Sequence, residues 1–156
     1  MIYLVLKTLH VLGASVIFGT GSGIAFFMLM AHRTRDTLFI AQTARIVVIA
    51  DVVFTATSVI AQPITGLLLV RQAGYSFKES WLAVSLGLYL AAGAFWLPVI
   101  WMQIRMRDLA LSAASANSPL PAQYHRLFGL WFLFGFPGFG AVLAIIILMV
   151  ARPTLY

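Results

Sequence analysis

Four long apolar runs, separated by short polar stretches, make up most of the chain. The runs cover residues 2–31, 40–70, 80–102 and 127–150. Each is longer than the roughly 20 residues that an α-helix needs to cross the hydrocarbon core of a bilayer. The pattern therefore predicts an all-α fold, an integral membrane four-helix bundle in which residues 1–156 form one domain.

The polar stretches predict three connections between the helices, at residues 32–39, 71–79 and 103–126. The third connection is the longest. Residues 118–121 within it contain two prolines, which predicts a turn that restarts the chain toward the last helix.

Small residues recur every four positions in two of the runs. They are Ser15, Gly19 and Gly23 in the first run, and Ala83, Gly87 and Ala91 in the third. Such spacing lets helix backbones approach closely in membranes. It predicts a tightly packed bundle without indicating which helices touch.

The composition agrees with a membrane protein. Apolar residues make up 62% of the chain and charged residues only 9%, whereas about a quarter of a soluble domain is charged. Mean hydropathy is +1.01, so the lipid bilayer is the expected surroundings. The chain has no cysteine, which excludes disulfides, thiolate metal sites and thiol catalysis.

The ten basic residues mostly flank the apolar runs and form no patch of the size that nucleic acid requires. The first and third connections and their surroundings hold six of them, and the remainder of the chain holds four: Arg33, Arg35, Arg45, Arg105, Arg107 and Arg126, against Lys7, Arg71, Lys78 and Arg152. The positive-inside rule then favours a bacterial inner-membrane protein with both termini in the periplasm.

His10 is the leading candidate for a cofactor ligand. It lies about 12 Å along the first helix from Ile2, at 1.5 Å per residue, and so below the headgroups. Ala14 and Gly21 follow on the same helical face and leave room for a flat ligand. Neutral imidazole is a standard ligand of haem iron, so His10 is the predicted metal ligand. The alternative is a histidine that hydrogen-bonds a neighbouring helix.

Three further polar residues are expected at the depth of His10. Lys7, one turn away, either snorkels to the interface or meets a haem propionate or a quinone oxygen. Gln62 and Tyr89 approach the same level from other helices. No second axial ligand is evident, so the haem is either five-coordinate or shared between two copies of His10 in a homodimer.

Asp51 lies near the middle of the second run. A carboxylate at that depth costs several kcal/mol unless it is paired, protonated or near water. Asp51 and Gln62 are therefore candidates either for a proton relay or for pairing between helices.

Several segments resemble a known family. Residues 6–13, 50–55, 62–66, 96–105 and 124–138 resemble a bacterial integral membrane family, domain of unknown function 2269. The resemblance covers nearly the whole chain. It implies four helices and brings no settled activity with it.

The first helix alone has a more distant resemblance. Its Lys7-x-x-His10 pattern is similar to that of the HemJ-type protoporphyrinogen oxidases and the CopD-type copper-resistance membrane proteins. In the HemJ type this histidine binds haem b, and a lysine of a later helix is its partner. The third run has no lysine here, which counts against the oxidase activity and leaves haem binding at His10 open.

Together these features favour a haem b-binding membrane protein with an electron-transfer or oxidase-like role. His10 would be the ligand, with Lys7 and Tyr89 near the porphyrin, Ala14 and Gly21 beside it, and a quinone as a possible partner. The protein is expected to be a homodimer or a subunit of a larger membrane assembly. The alternative is an assembly factor or small transport subunit without a cofactor. No residue is assigned a catalytic role.

Overall fold

Four long helices form the protein. The computed structural model describes residues 1–154. Its helices are α1 (Ile2–Thr34), α2 (Thr37–Ala73), α3 (Ser80–Ser115) and α4 (Ala122–Ala151), each long and apolar enough to cross a membrane. No strand occurs within these described residues. The predicted all-α four-helix membrane fold is confirmed.

Short connections join the helices in an up-and-down order. Both chain ends and the connection 74–79 lie at one end of the bundle, called here the terminal end. The connections 35–36 and 116–121 lie at the other, called the arginine end. Here Asp36 Oδ1 accepts hydrogen bonds from the backbone N–H groups of Leu38 and Phe39, at 2.9 and 3.0 Å. This N-cap satisfies donors that the first turn of α2 leaves unpaired.

The third connection is much shorter than the sequence predicted. Residues 103–115 continue α3 instead of forming a loop, and only residues 116–121 connect it to α4. The reason is a second apolar stripe, because Met102, Met106, Ala110 and Ala113 follow one another every three or four residues and are all buried. Packing of this apolar stripe against the other helices keeps residues 103–115 helical, and the opposite face of this amphipathic segment is polar.

The tightly packed core lies toward the arginine end. Its members come from all four helices and include the almost fully buried Met28, Ile40, Met106 and Tyr124. His32 packs against this core, and its ring stacks on the ring of Phe128 with 3.8 Å between the ring centroids. The membrane-embedded middle of the bundle is packed less tightly, and it contains the cavity described below.

Close helix packing occurs at a glycine outside the predicted stripes. No atom lies within 4 Å of the position that a Cβ would take at Gly19 or Gly87, so the prediction that these stripes pack the bundle is wrong. At Gly13, in contrast, an added Cβ would overlap the Gln62 amide nitrogen. Gly13 therefore leaves room for the Gln62 side chain, which donates to the His10 carbonyl oxygen.

The second helix contains a π-helical turn at its centre. Residues Asp51–Ala56 form it, between α-helical segments at Thr37–Ala50 and Thr57–Ala73. Both Asp51 and Thr55 are buried, with 3% and 5% of their surfaces exposed. Single π turns within α-helices are rare and frequently occur at functional sites. This turn places two polar side chains in the interior of the bundle.

Candidate functional site

All four helices surround an internal cavity in the middle of the bundle. Its volume is about 450 Å³, within the range of small-molecule pockets. Its walls are mostly apolar and unusually aromatic, and the rings are those of Phe95, Trp96, Trp131, Phe132, Phe134, Phe136 and Phe139. Gly21 and Gly135 also line it, and no atom lies within 4 Å of a Cβ placed at either. The cavity is therefore suited to a flat apolar molecule.

The polar lining is concentrated toward the arginine end of the cavity. Asp51 and Gln103 are the lining residues of α2 and α3 that lie nearest that end. Thr55 and Trp96 line the cavity deeper in the bundle. These four residues are called here the polar end of the cavity.

Trp131 determines the orientation of the Gln103 amide. Its indole Nε1–H donates to Gln103 Oε1 at 3.0 Å. An indole N–H can only donate, so the oxygen of the amide must face Trp131. The NH₂ group of Gln103 is consequently free of that contact, and its nitrogen is buried without a hydrogen-bond partner.

Four buried polar side chains gather at the polar end. Thr55, Trp96 and Gln103 each come within hydrogen-bonding reach of the Asp51 carboxyl, although the contacts of Asp51 Oδ2, Thr55 Oγ1, Trp96 Nε1 and Gln103 Nε2 do not have normal hydrogen-bond geometry. His32 Nδ1 and Tyr124 OH are the other such atoms among the described residues. The four atoms at the polar end have almost no accessible surface, so the cluster forms a closed polar wall at one end of an apolar cavity.

The opposite part of the cavity has its polar groups satisfied. Tyr89 OH donates to the Val59 carbonyl oxygen at 2.5 Å. Pro63, four residues after Val59, has no N–H to donate to that oxygen, so the tyrosine replaces the missing helical bond. Gln62 Nε2 donates to the His10 carbonyl oxygen at 2.8 Å. These hydrogen bonds stabilise the helices.

His10 lies between α1 and α2 and is outside the cavity lining. Its Nδ1 is 2.9 Å from Thr65 Oγ1, and Thr65 donates its own hydroxyl hydrogen to the Ala61 carbonyl oxygen at 2.8 Å. With the Thr65 hydrogen engaged in this way, the Nδ1–H tautomer of His10 is the one that can donate to Thr65 Oγ1. The other ring nitrogen, Nε2, keeps its lone pair, which is the form a metal-binding histidine requires.

The structure separates the predicted site residues into two groups. Ala14, Gly21, Asp51, Gln62 and Tyr89 line the cavity. His10 and Lys7 do not, and the Lys7 side chain is exposed. Of the residues predicted near His10, Gln62 contacts its backbone, whereas Tyr89 bonds to α2 instead.

Sequence reasoning missed Thr55, Trp96, Gln103 and Trp131. Gln103 was placed in a loop because charged residues follow it. Its spacing of seven residues from Trp96 was an available signal, since residues seven apart share one helical face. Thr55 is buried within the π turn, and no feature of the sequence predicted that turn.

The cavity lining provides no axial ligand for haem iron. Among the described residues that line the cavity there is no histidine, methionine or lysine, and the Tyr89 hydroxyl is already engaged. The cavity therefore does not fit an axially ligated haem. His10 alone has a suitable donor atom, at a place outside the cavity. No group of three or more metal-binding side chains occurs among the described residues.

The cavity extends to the lipid-facing surface of the bundle between α1 and α4. Two of its lining residues there, Phe136 and Phe139, are 63% and 38% exposed. The ring of Phe139 packs against that of Phe18, with 4.7 Å between centroids. This ring pair spans the gap between the two helices.

Comparison with known proteins identifies a family and no characterised relative. Residues 4–153 match the family described as predicted integral membrane protein (DUF2269). No curated protein and no solved structure matches the chain. Since the match extends over nearly the whole sequence, the chain belongs to the DUF2269 family of predicted integral membrane proteins.

Proposed function

We propose that this protein binds a membrane-soluble molecule of the quinone class in its central cavity. Such a molecule combines a planar ring that bears oxygen atoms with an apolar tail. The observation that carries the proposal is an aromatic, apolar cavity with a cluster of buried polar side chains around Asp51 at one end.

The chemistry of the lining matches such a ligand. Aromatic side chains that line the cavity can cover the faces of the ring, and the Asp51 cluster supplies polar groups at one end. The apolar remainder of the cavity is expected to exclude water. The gap between α1 and α4 leaves room for the tail to reach lipid.

A leucine at Gly21 should abolish this binding without damaging the fold. Gly21 lines the cavity, and no atom lies within 4 Å of its would-be Cβ, so the leucine side chain fills ligand space. We expect a short-tailed alkyl benzoquinone to quench tryptophan fluorescence of the wild-type protein saturably in detergent, because Trp96 and Trp131 line the cavity. The matched control is Gly19→Leu, at an exposed position with equal space and outside the cavity. Equal, non-saturable quenching of all three proteins would overturn the proposal.

A second proposed function is haem b ligation by His10, outside the cavity. The observation in its favour is the hydrogen bond to Thr65, which leaves Nε2 with its lone pair. When bound, haem would supply one-electron redox chemistry. His10 would hold the iron, Thr65 would orient the imidazole, and the exposed Lys7, one turn away, would meet a propionate.

A reduced-minus-oxidised visible spectrum of the detergent-purified protein tests this second proposal. We expect haem bands in the wild type, their loss in His10→Ala, and about 10- to 100-fold weaker haem affinity in Thr65→Val, because the second-shell partner of the imidazole is removed. Gel filtration establishes that both variants remain folded. A colourless wild-type protein, produced with ample haem, would exclude haem binding.

Electron transfer between a haem and a quinone-class molecule is the redox role that these two proposals imply together. Its rival is a non-catalytic assembly factor or a small transport subunit without a cofactor. That rival predicts neither saturable quenching nor haem bands.

We infer in addition that the protein lies in a bacterial inner membrane with its arginine end in the cytoplasm and both termini in the periplasm. The excess of arginine around the connections 35–36 and 116–121 supports this orientation. Assembly as a homodimer or within a larger membrane complex is a further proposal. The outward-facing Gly19 and Gly87 would allow a neighbouring helix to approach closely.

A further inference from the structure

We infer that the gap between α1 and α4 is the entrance through which a ligand dissolved in the membrane reaches the cavity, and that the rings of Phe18 and Phe139 form its gate. The inference rests on the proposed function and adds the route to the same cavity. It is carried by the contacts between neighbouring helices, which differ in kind at this gap from those at the other three helix interfaces.

Interhelical hydrogen bonds join the other neighbouring pairs of helices. Gln62, Tyr89 and Trp131 donate them across the α1–α2, α2–α3 and α3–α4 interfaces, at 2.8, 2.5 and 3.0 Å respectively. No hydrogen bond or ion pair joins α1 to α4 within residues 1–154. Lipid chains are as apolar as the helix surfaces that they would cover, so separating these two helices within the bilayer carries no hydrophobic penalty. The gap between α1 and α4 is therefore the interface that opens most easily.

Two groups of ring contacts connect α1 to α4. At the arginine end, the His32 ring stacks on the Phe128 ring beside the tightly packed core. Deeper in the bundle, the contact is the one between Phe18 and Phe139, with 4.7 Å between the ring centroids. Phe18 precedes His32 by about four helical turns, or roughly 21 Å along α1. Opening of the gap at Phe18 therefore leaves the contacts of the arginine end in place.

The α4 helix is easily deformed around Phe139. Pro137 has no N–H group, so one helical hydrogen bond of α4 is missing there, and sharp kinks in helices usually occur at proline. Gly138 and Gly140 flank Phe139, and glycine is among the least favourable residues in a helix interior. The Phe139 side chain is also partly exposed. Bending of α4 at this segment can therefore carry the Phe139 ring away from Phe18.

The arginine end of the bundle offers no comparable route to the cavity. The side chains around Asp51 form a closed wall at that end, and the core that includes Met28, Met106 and Tyr124 is packed tightly beyond it. Phe136, in contrast, belongs to the cavity lining and has most of its surface exposed on the lipid-facing side of α4. For a ligand in the lipid, the ring pair is therefore the barrier nearest to the cavity.

Replacing Phe18 by alanine tests the gate through the rates of binding. Phe18 lies outside the cavity lining, so the substitution removes one ring of the gate and no contact of the ligand. Stopped-flow tryptophan quenching by the short-tailed alkyl benzoquinone, in detergent, gives both rates. We expect association and dissociation to become faster by the same factor, about two- to tenfold, because one ring contact is lost. The dissociation constant, which is the ratio of the two rates, should stay unchanged.

The matched control for Phe18→Ala is Phe26→Ala in the same helix. Phe26 is exposed, packs against the ring of Phe27 and lies outside the cavity lining. This control should bind the benzoquinone at the wild-type rates. Wild-type rates in Phe18→Ala as well would overturn the gate, and so would equal acceleration in both variants.

A second measurement holds the gap closed. The chain has no cysteine, so the double variant Phe18→Cys/Phe139→Cys carries thiols only at the gate, and a short bifunctional maleimide can join them. We expect the cross-linked protein to bind the benzoquinone at least about tenfold more slowly than the same variant treated with N-ethylmaleimide, which modifies both thiols without linking the helices. Equal rates for the two preparations would show that the ligand enters elsewhere.

The outcomes distinguish the route from the proposed function. Saturable quenching whose rates change neither in Phe18→Ala nor on cross-linking would overturn the route and leave quinone-class binding in place. If the benzoquinone does not quench the wild-type protein saturably, the proposed function fails and the route fails with it.

Discussion

Replacing Asp51 by leucine is expected to make the protein more stable, by about 2 kcal/mol. Asp51 is 97% buried in the membrane-spanning part of α2, it forms no ion pair, and one of its oxygens has no hydrogen-bond partner. A carboxyl group in such surroundings lowers the stability of the fold. Leucine has a similar size, and the adjoining cavity can accept its methyl groups without overpacking.

Unfolding in mixed micelles of mild detergent and dodecyl sulfate measures this change in the free energy of unfolding. The control is Asp108→Leu, which replaces an exposed carboxylate on α3 whose partner is Arg107, and there we expect less than about 1 kcal/mol of change. A marked loss of stability in Asp51→Leu would mean that the carboxyl group holds helices together. In that case Asp51 would pair helices, which is the alternative to a proton relay given in the sequence analysis.

The second large effect is expected at Gly13, where alanine should lower the free energy of unfolding by about 1–3 kcal/mol. The added methyl group would overlap the Gln62 amide nitrogen, which donates to the His10 carbonyl oxygen. To avoid the overlap, either this hydrogen bond between α2 and α1 breaks or the two helices move apart. Both changes weaken the interface that contains His10 and Thr65.

Gly19→Ala is the matched control for Gly13→Ala in the same unfolding experiment. Both substitutions are in α1 and both gain about 1 kcal/mol of helix propensity, but nothing lies within 4 Å of the new methyl group at Gly19. The difference between the two variants therefore isolates the steric contact. If the two variants are equally stable, α1 and α2 do not approach each other at Gly13 as described.

The fold could be predicted because the bilayer requires long apolar helices. Four runs of sufficient length are unambiguous on that criterion, and the helices contain all of them. The end of α3 could not be predicted by the same criterion. Beyond Met102 the helix leaves the hydrocarbon, and what stabilises it is an amphipathic stripe that includes Met106 and Ala110. A search for apolar length alone does not detect such a stripe.

The candidate site was predicted only in part, for a different reason. Asp51 was identified because an intramembrane carboxylate is costly wherever it lies. Its surroundings depend on the π turn and on the facing residues Trp96 and Gln103, which are tertiary features. Spacing likewise singled out His10, but it could not reveal that the ring lies outside the cavity and bonds to Thr65. Single-residue signals therefore do not show which residues meet.

The Phe18–Phe139 pair has a consequence for how affinity must be expressed. The two rings lie between α1 and α4 beside the cavity, so the proposed ligand would have to move this ring pair to enter sideways from the surrounding lipid or detergent. Occupancy then follows the ratio of ligand to lipid, and adding more lipid at constant total ligand dilutes the ligand and empties the site. A dissociation constant for the proposed ligand should therefore be expressed as a mole fraction in the membrane or micelle. A value in molar units would change with the detergent concentration even for the same ligand.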